Sequence, residues 1–222
     1  MRYNRHLSLL LLFFCLQANA QTFDECSDNY YTRFKQLQLQ RTLKQVGDKT
    51  ADSVMFALGV DLDSCIIGKQ MPEFELVGVS GKKYTNESLK GKVVLFNFWS
   101  VNCGPCVVEI PVFNRLFLSY RDMKDFVLIS ILWDKEEAMN KFLTTGLTKR
   151  RIAYEVIPDS KSLMKGTFKS VKALPTNLFM DREGKIFMKT VGGIIETKDE
   201  QRLEDNLRSI IDGELSKSVA AN

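Results

Sequence analysis

With 222 residues, 45% hydrophobic and 26% charged side chains, the chain has room for one globular domain of ordinary size plus an appendage, which excludes fibrous and wholly disordered classes. Its formal charge of +4 falls to +2 once Arg2 and Arg5 are removed with the first twenty residues, a balance that favours neither nucleic acid nor a charged membrane surface as partner.

Residues 1–20 read as a signal peptide. Arg2 and Arg5 precede an apolar stretch from Leu7 to Leu16, and Ala18-Asn19-Ala20 supplies the small residues that a signal peptidase reads, so cleavage near Ala20 is expected. About ten apolar residues fall short of the roughly 20 that a membrane-spanning helix needs. Cys15 is preceded by Leu12-Phe13-Phe14, without the small residue that stands ahead of a lipidated cysteine. Export to a bacterial periplasm or cell envelope follows, a setting in which disulfides persist. The only histidine, His6, leaves with the signal. A mature chain without histidine excludes a His-assisted nucleophile, a Cys/His metal site and haem attachment through a C-x-x-C-H run.

From Gln21 to about Gly68 the spacing of Tyr30, Phe34, Leu37, Arg41 and Lys44 predicts one long helix, and a shorter helix is expected near Asp52 to Leu58. We read 21–67 as a helical N-terminal extension and 68–215 as the main domain. Val93 to Trp99 is a continuous apolar run suited to a buried strand, Cys106 to Tyr120 has helical periodicity, and Phe126 to Trp133 is a second strand-like run. Lys135 to Leu147 reads as a helix and Tyr154 to Ile157 as a short strand, an alternation that argues for parallel strands with crossover helices. Asn177 to Met180 and Lys185 to Val191 flank an Asp181-Arg182-Glu183-Gly184 turn and form a hairpin. Glu196 to Ile211 closes the chain as an amphipathic helix with Leu203, Leu207, Ile210 and Ile211 on one face. The fold class is α/β.

Four cysteines remain in the mature chain: Cys26 with Cys65, and Cys103 with Cys106 in Trp99-Ser100-Val101-Asn102-Cys103-Gly104-Pro105-Cys106. Two cysteines directly after a buried strand and at the start of a helix have a specific use. The helix N-terminus presents free N–H groups and positive potential, which favour the thiolate. In such settings a thiol pKa drops from about 8.5 to roughly 3.5–7.5. Cys103 is the expected nucleophile, and Cys106, one turn on, resolves the mixed disulfide. Pro105 stands where its missing N–H is harmless, and Gly104 permits close approach of a partner backbone. The competing readings are half a zinc site, which lacks two further ligands, and a structural bridge, which would close too small a loop to stabilise much.

On these motifs the stretch from Gly68 to Gly193 is similar to the thioredoxin superfamily, and more narrowly to its exported TlpA/ResA-type branch. The resemblance rests on the lead-in Gly68-Lys69-Gln70-Met71-Pro72-Glu73-Phe74-Glu75-Leu76, on Gly91-Lys92-Val93-Val94-Leu95-Phe96-Asn97-Phe98-Trp99, and on Cys-Gly-Pro-Cys, Glu109-Ile110-Pro111 and Leu174-Pro175-Thr176. It implies a thioredoxin fold, a central mixed sheet flanked by helices, and thiol-disulfide oxidoreductase activity with no cofactor beyond the Cys103–Cys106 pair and no metal. It also implies that Pro175 is a cis-proline facing the cysteines, that the backbone of Leu174 pairs with a bound substrate chain, that Glu109 tunes the thiols and moves protons, and that Trp99 packs under the active-site loop. Pro111 should kink the helix that carries the cysteines. Asn97 replaces the buried aspartate of cytosolic thioredoxins and cannot accept a proton, and Asn102 replaces the tryptophan before the first cysteine.

Export makes a structural Cys26–Cys65 disulfide reasonable, worth roughly 3–4 kcal/mol on the chain-entropy model, with two free thiols or a second redox pair as alternatives. The function expected is reduction of disulfides in exported proteins, candidate clients including apocytochromes in cytochrome c maturation, with electrons from a membrane thiol carrier. The alternatives are a thiol oxidase or isomerase of the same fold, a peroxiredoxin-like peroxidase, for which Ser100 is correctly spaced but Phe96 stands in the place of a proline, and a non-catalytic assembly factor.

Overall fold

The computed structural model describes residues 21–145 and 151–217; the signal-peptide reading of residues 1–20, with Cys15 and His6, and the end of the predicted helix at 146–147 lie outside the described residues. Helix α1 (Phe23–Thr42) begins at a capping box: the Glu25 N–H donates to the Thr22 hydroxyl (3.2 Å) and the Thr22 N–H to the Glu25 carboxylate (2.7 Å). Helix α2 (Asp48–Ile66) is nearly as long as α1, where the sequence suggested a shorter one. Its buried residues, Ala51, Leu58, Leu62 and Ile66, share a face, while Val54, Phe56 and Val60 point outward and blur the pattern.

A two-stranded hairpin follows, β1 (Glu75–Val77) with β2 (Lys83–Thr85), which the sequence reading did not contain. The main chain of the domain then runs β3 (Val93–Trp99), α3 (Gly104–Tyr120), β4 (Phe126–Leu132), α4 (Glu136–Thr144), β5 (Glu155–Ile157), a short α5 (Lys161–Lys165), β6 (Thr176–Met180), β7 (Ile186–Val191) and α6 (Glu200–Leu215). The five strands order as β5-β4-β3-β6-β7, with β3, β4 and β5 parallel and β6 and β7 antiparallel to their neighbours. This is the mixed sheet of a thioredoxin fold.

All seven residues of β3 are buried, because the strand is covered on both faces. Val94, Phe96 and Phe98 face one layer, where Phe168 lies 5.2 Å from Phe98 and 6.0 Å from Phe96 between ring centres, and where Phe23, Leu62 and Ile66 of α1 and α2 complete the packing. Val93, Leu95 and Trp99 face the other, against Ile110, Phe113 and Leu116 of α3 and Leu207 and Ile211 of α6. Each such aromatic or aliphatic side chain contributes about 1.5–3 kcal/mol on burial. The two N-terminal helices thus share a core with the sheet. Ion pairs hold their flank: Lys169 reaches Asp24 (3.3 Å) and Asp28 (2.7 Å), and Lys189 pairs with Asp63.

Candidate active site

The apolar run of β3 ends at Trp99, and the chain turns through Ser100–Asn102 into α3. That turn is pinned by Asp134, just beyond β4, whose carboxylate accepts from the Ser100 hydroxyl (2.7 Å) and the Val101 N–H (2.9 Å). The Ser100 hydroxyl in turn accepts from the Asn102 N–H (3.2 Å). Nothing in the sequence pattern marks Asp134, because its partners lie more than thirty residues upstream.

Cys103 is the N-cap of α3, with extended backbone, and its sulfur accepts the Cys106 N–H (3.3 Å). Cys103 and Cys106 are joined as a disulfide, Cα atoms 5.2 Å apart. Cys103 is half-buried and Cys106 buried, so the first sulfur is the one a partner reaches. Pro105 occupies the first turn, where no N–H is needed. A side chain at Gly104 would meet nothing within 4 Å, which leaves the approach to the pair open. The helix runs on through Pro111 to Tyr120. Trp99, 2% exposed, shares a cluster with Cys106 and packs edge-on against Phe142 (6.1 Å).

The Leu174–Pro175 peptide bond is cis. Pro175 precedes β6, whose Thr176 pairs with Phe98 of β3, so the proline loop and the cysteine turn lie at the same end of two adjacent strands. The buried Thr176 hydroxyl donates to the Ala173 carbonyl (2.7 Å), and the Pro175 carbonyl accepts the Gly192 N–H (2.9 Å). Among the described residues no hydrogen bond engages the backbone of Leu174.

Glu109 lies one turn beyond Cys106 on the same face, 1% exposed. One carboxylate oxygen accepts the Ile194 N–H (3.3 Å); the other has no partner among the described residues. Burial pushes its pKa up to about 7, against the Ile194 N–H, which pulls it down. Gly193 fills the space between Glu109 and Pro175: a Cβ there would stand 2.6 Å from the Glu109 oxygen and 2.7 Å from the proline ring. The sequence reading missed Gly193 and Ile194, since a glycine pair after a strand resembles any loop. Tyr154, buried on the same side, has its hydroxyl pKa raised, first by burial and then by the Glu109 charge.

Asn97 sits mid-strand, buried, and its amide donates to the Asn177 side chain (3.0 Å), which donates to the Thr190 hydroxyl (3.2 Å). The position of the thioredoxin aspartate is therefore part of a neutral amide chain across β3, β6 and β7. Cys26 of α1 and Cys65 of α2 are also joined, Cα atoms 5.8 Å apart. Among the described residues no cluster of three or more His, Cys, Asp or Glu side chains is placed to hold a metal, and no helix is long and apolar enough to cross a membrane.

A thioredoxin fold with a cysteine pair capping the helix after its central strand, and a cis-proline at the same end of the sheet, defines the class: thiol-disulfide oxidoreductases that use a redox-active cysteine pair without a cofactor. The model of the AhpC/TSA family matches residues 67–188, more than half of the chain, and the chain belongs to that family. Over 151 residues it is 34% identical to the thiol-disulfide oxidoreductase ResA of a Bacillus cereus strain, spanning 68% of this chain and 82% of that one. It is 28% identical to the thioredoxin-like protein YneN of Bacillus subtilis, over 62% and 78%. A Chlorobium tepidum structure described as a thiol:disulfide interchange protein DsbE superposes with TM-score 0.53 at 28% identity, over 65% of this chain and 97% of that one. The protein is a thioredoxin-like thiol-disulfide oxidoreductase.

Proposed function

We propose that the protein is an exported reductase, with its signal removed near Ala20, that reduces disulfides of bacterial periplasmic or envelope proteins through Cys103 attack and Cys106 resolution. The observation that carries this reading is the half-buried Cys103 sulfur at the α3 N-terminus, with the unpaired Leu174 backbone at the same end of the sheet. In the reduced protein the Cys103 thiolate attacks one sulfur of the client disulfide, forms the mixed disulfide, and expels the other client sulfur as a thiolate that takes up a proton. Cys106 then passes its thiol proton to Glu109, attacks the Cys103 sulfur, and releases the second client thiol, leaving the disulfide seen here. Two electrons pass from protein to client, and a membrane thiol carrier restores them. A carboxyl with pKa of about 7 is matched to that transfer near neutral pH.

The Leu174 backbone aligns the client chain, while Trp99, Gly104, Pro105 and Thr176 hold the geometry. The Cys26–Cys65 bridge is structural in this reading, and its presence fits an oxidising compartment. Residues 21–67 serve as a helical extension and 68–215 as the catalytic domain. Apocytochromes are candidate clients. The peroxidase alternative draws less support, because the Ser100 hydroxyl is committed to Asp134.

The test is trapping. Cys106→Ala lacks the resolving thiol and should accumulate clients on Cys103 as mixed disulfides, whereas Cys103→Ser should trap none and lose turnover. Equal trapping by both variants, or a strongly oxidising potential in a redox titration, would overturn the assignment.

A further inference from the structure

Beside the cysteine turn a shallow groove runs between Ser100 and Leu174, floored by Trp133, Met164 and Val171. One end is the loop that carries the free Leu174 backbone, so a client chain that reaches Cys103 alongside that loop must lie in or next to the groove. The charged side chain that lines it is Lys172, and the segment it belongs to is basic. From Ser160 to Met180 the sequence holds four lysines, Lys161, Lys165, Lys169 and Lys172, and no acid.

The four are not equivalent. Lys169 is held by Asp24 and Asp28. The Lys172 ammonium lies over the rings of Tyr31 (3.3 Å) and Tyr30 (4.7 Å) and donates to the Lys169 carbonyl, turned toward α1. Burial, and after it Lys189 and Lys169, lowers its pKa to about 7. Lys161 and Lys165 differ: both are exposed, both stand over the Trp133 ring (5.7 and 5.9 Å), and among the described residues neither is in an ion pair. Asp134, whose carboxylate bonds the lining residue Ser100, is committed to Ser100 and Val101. Two unpaired cations flanking an aromatic floor are a complementary surface for carboxylates.

We propose that this groove selects clients that carry acidic side chains within a few residues of the cysteine attacked, Lys161 and Lys165 supplying the attraction and Trp133, Met164 and Val171 the apolar seat. The inference rests on the Cys103 reading above and adds the chemistry of the substrate.

The experiment uses the full mature chain, reduced with dithiothreitol and desalted. Its substrates are hydroxyethyl disulfide and three peptides, each with one internal disulfide, identical except for Asp, Asn or Lys beside the reactive cysteine. The Asp peptide should be reduced about fivefold faster in kcat/KM than the Asn peptide, the effect of a favourable exposed ion pair, and the Lys peptide more slowly. The preference should fade at about 1 M salt, where the screening length is about 3 Å, and Lys161→Glu/Lys165→Glu should reverse the order of the Asp and Lys peptides. A protein that reduces hydroxyethyl disulfide but treats the peptides alike, or a preference unchanged in the double variant, would overturn the groove assignment alone. Failure to reduce even hydroxyethyl disulfide would overturn the Cys103 reading and the groove with it.

Discussion

Cys26 and Cys65, separated by 39 residues, tie α1 to α2. Cys103 and Cys106, separated by 3, tie a helix cap to its own first turn. Around the first pair stand Leu58, Leu62, Tyr30 and the exposed Arg33–Asp61 ion pair (2.9 Å), with no buried carboxyl among the described residues. Around the second stand a helix N-terminus and the loop of the cis Leu174–Pro175 bond, and among the described residues one Glu109 oxygen and the Leu174 backbone have no hydrogen-bond partner. The bond is the same; its surroundings set its use. A long loop gives a bridge stabilising leverage on the unfolded chain, whereas a short loop gives little, and the proposed roles of the two pairs, structural and exchanged, follow that difference.

Three measurements sharpen or break that contrast. The largest effect is expected for Cys26→Ser/Cys65→Ser: chemical denaturation should show a loss of roughly 3–4 kcal/mol, with reductase turnover of the folded fraction unchanged. Loss of turnover without loss of stability would make the first pair a redox centre as well.

Next comes Glu109→Gln, which should slow resolution of the mixed disulfide on the order of a hundredfold in stopped-flow assays and remove the rise of that step through about pH 7. Stability should respond too. The unfolded chain ionises Glu109 near 4.5, whereas the folded protein holds the proton to about 7. The folded state therefore binds more protons between those values, and stability falls as pH rises through about 7. The glutamine variant should flatten that part of the stability curve.

The smallest effect is expected for Gly193→Ala. Its methyl group would press on Glu109 and Pro175, costing about 1–2 kcal/mol in thermal unfolding and displacing the pH dependence of resolution, while a glycine-to-alanine change at Gly213, where a Cβ meets nothing, should do neither.

What the sequence made legible follows the strength of its periodic signals. Val93–Trp99 is a strand with the bounds read from its apolar run, and the order of elements from it to α6 follows the reading except for the five-residue α5, because a strand covered on both faces and a helix with one buried stripe leave strong patterns while a single turn and a half does not. Helix α2 was underestimated because Phe56 and Val60 are apolar yet exposed and Gly59 interrupts the pattern. Strands β1 and β2, three residues each, are too short for alternation to register. In the site, Cys103, Cys106, Glu109 and Pro175 stood out through motifs. Asp134, Gly193 and Ile194 did not: their roles depend on neighbours distant in the sequence, 33 residues for Asp134 and 85 for Ile194, contacts that only the folded chain creates.

The packing of α1 and α2 against the sheet has a consequence for synthesis. Phe23, Leu62 and Ile66 rest on a layer that includes Phe168, Leu178 and Ile186, and the Gly68 N–H bonds to the Ile186 carbonyl (2.7 Å). Met71, Phe74, Val94 and Phe96 cover part of that face soon after α2 is made, but Phe168, Leu178 and Ile186, which complete it, are made last. Until then the apolar stripes of α1 and α2 are only partly covered, so a face made early in synthesis is completed late.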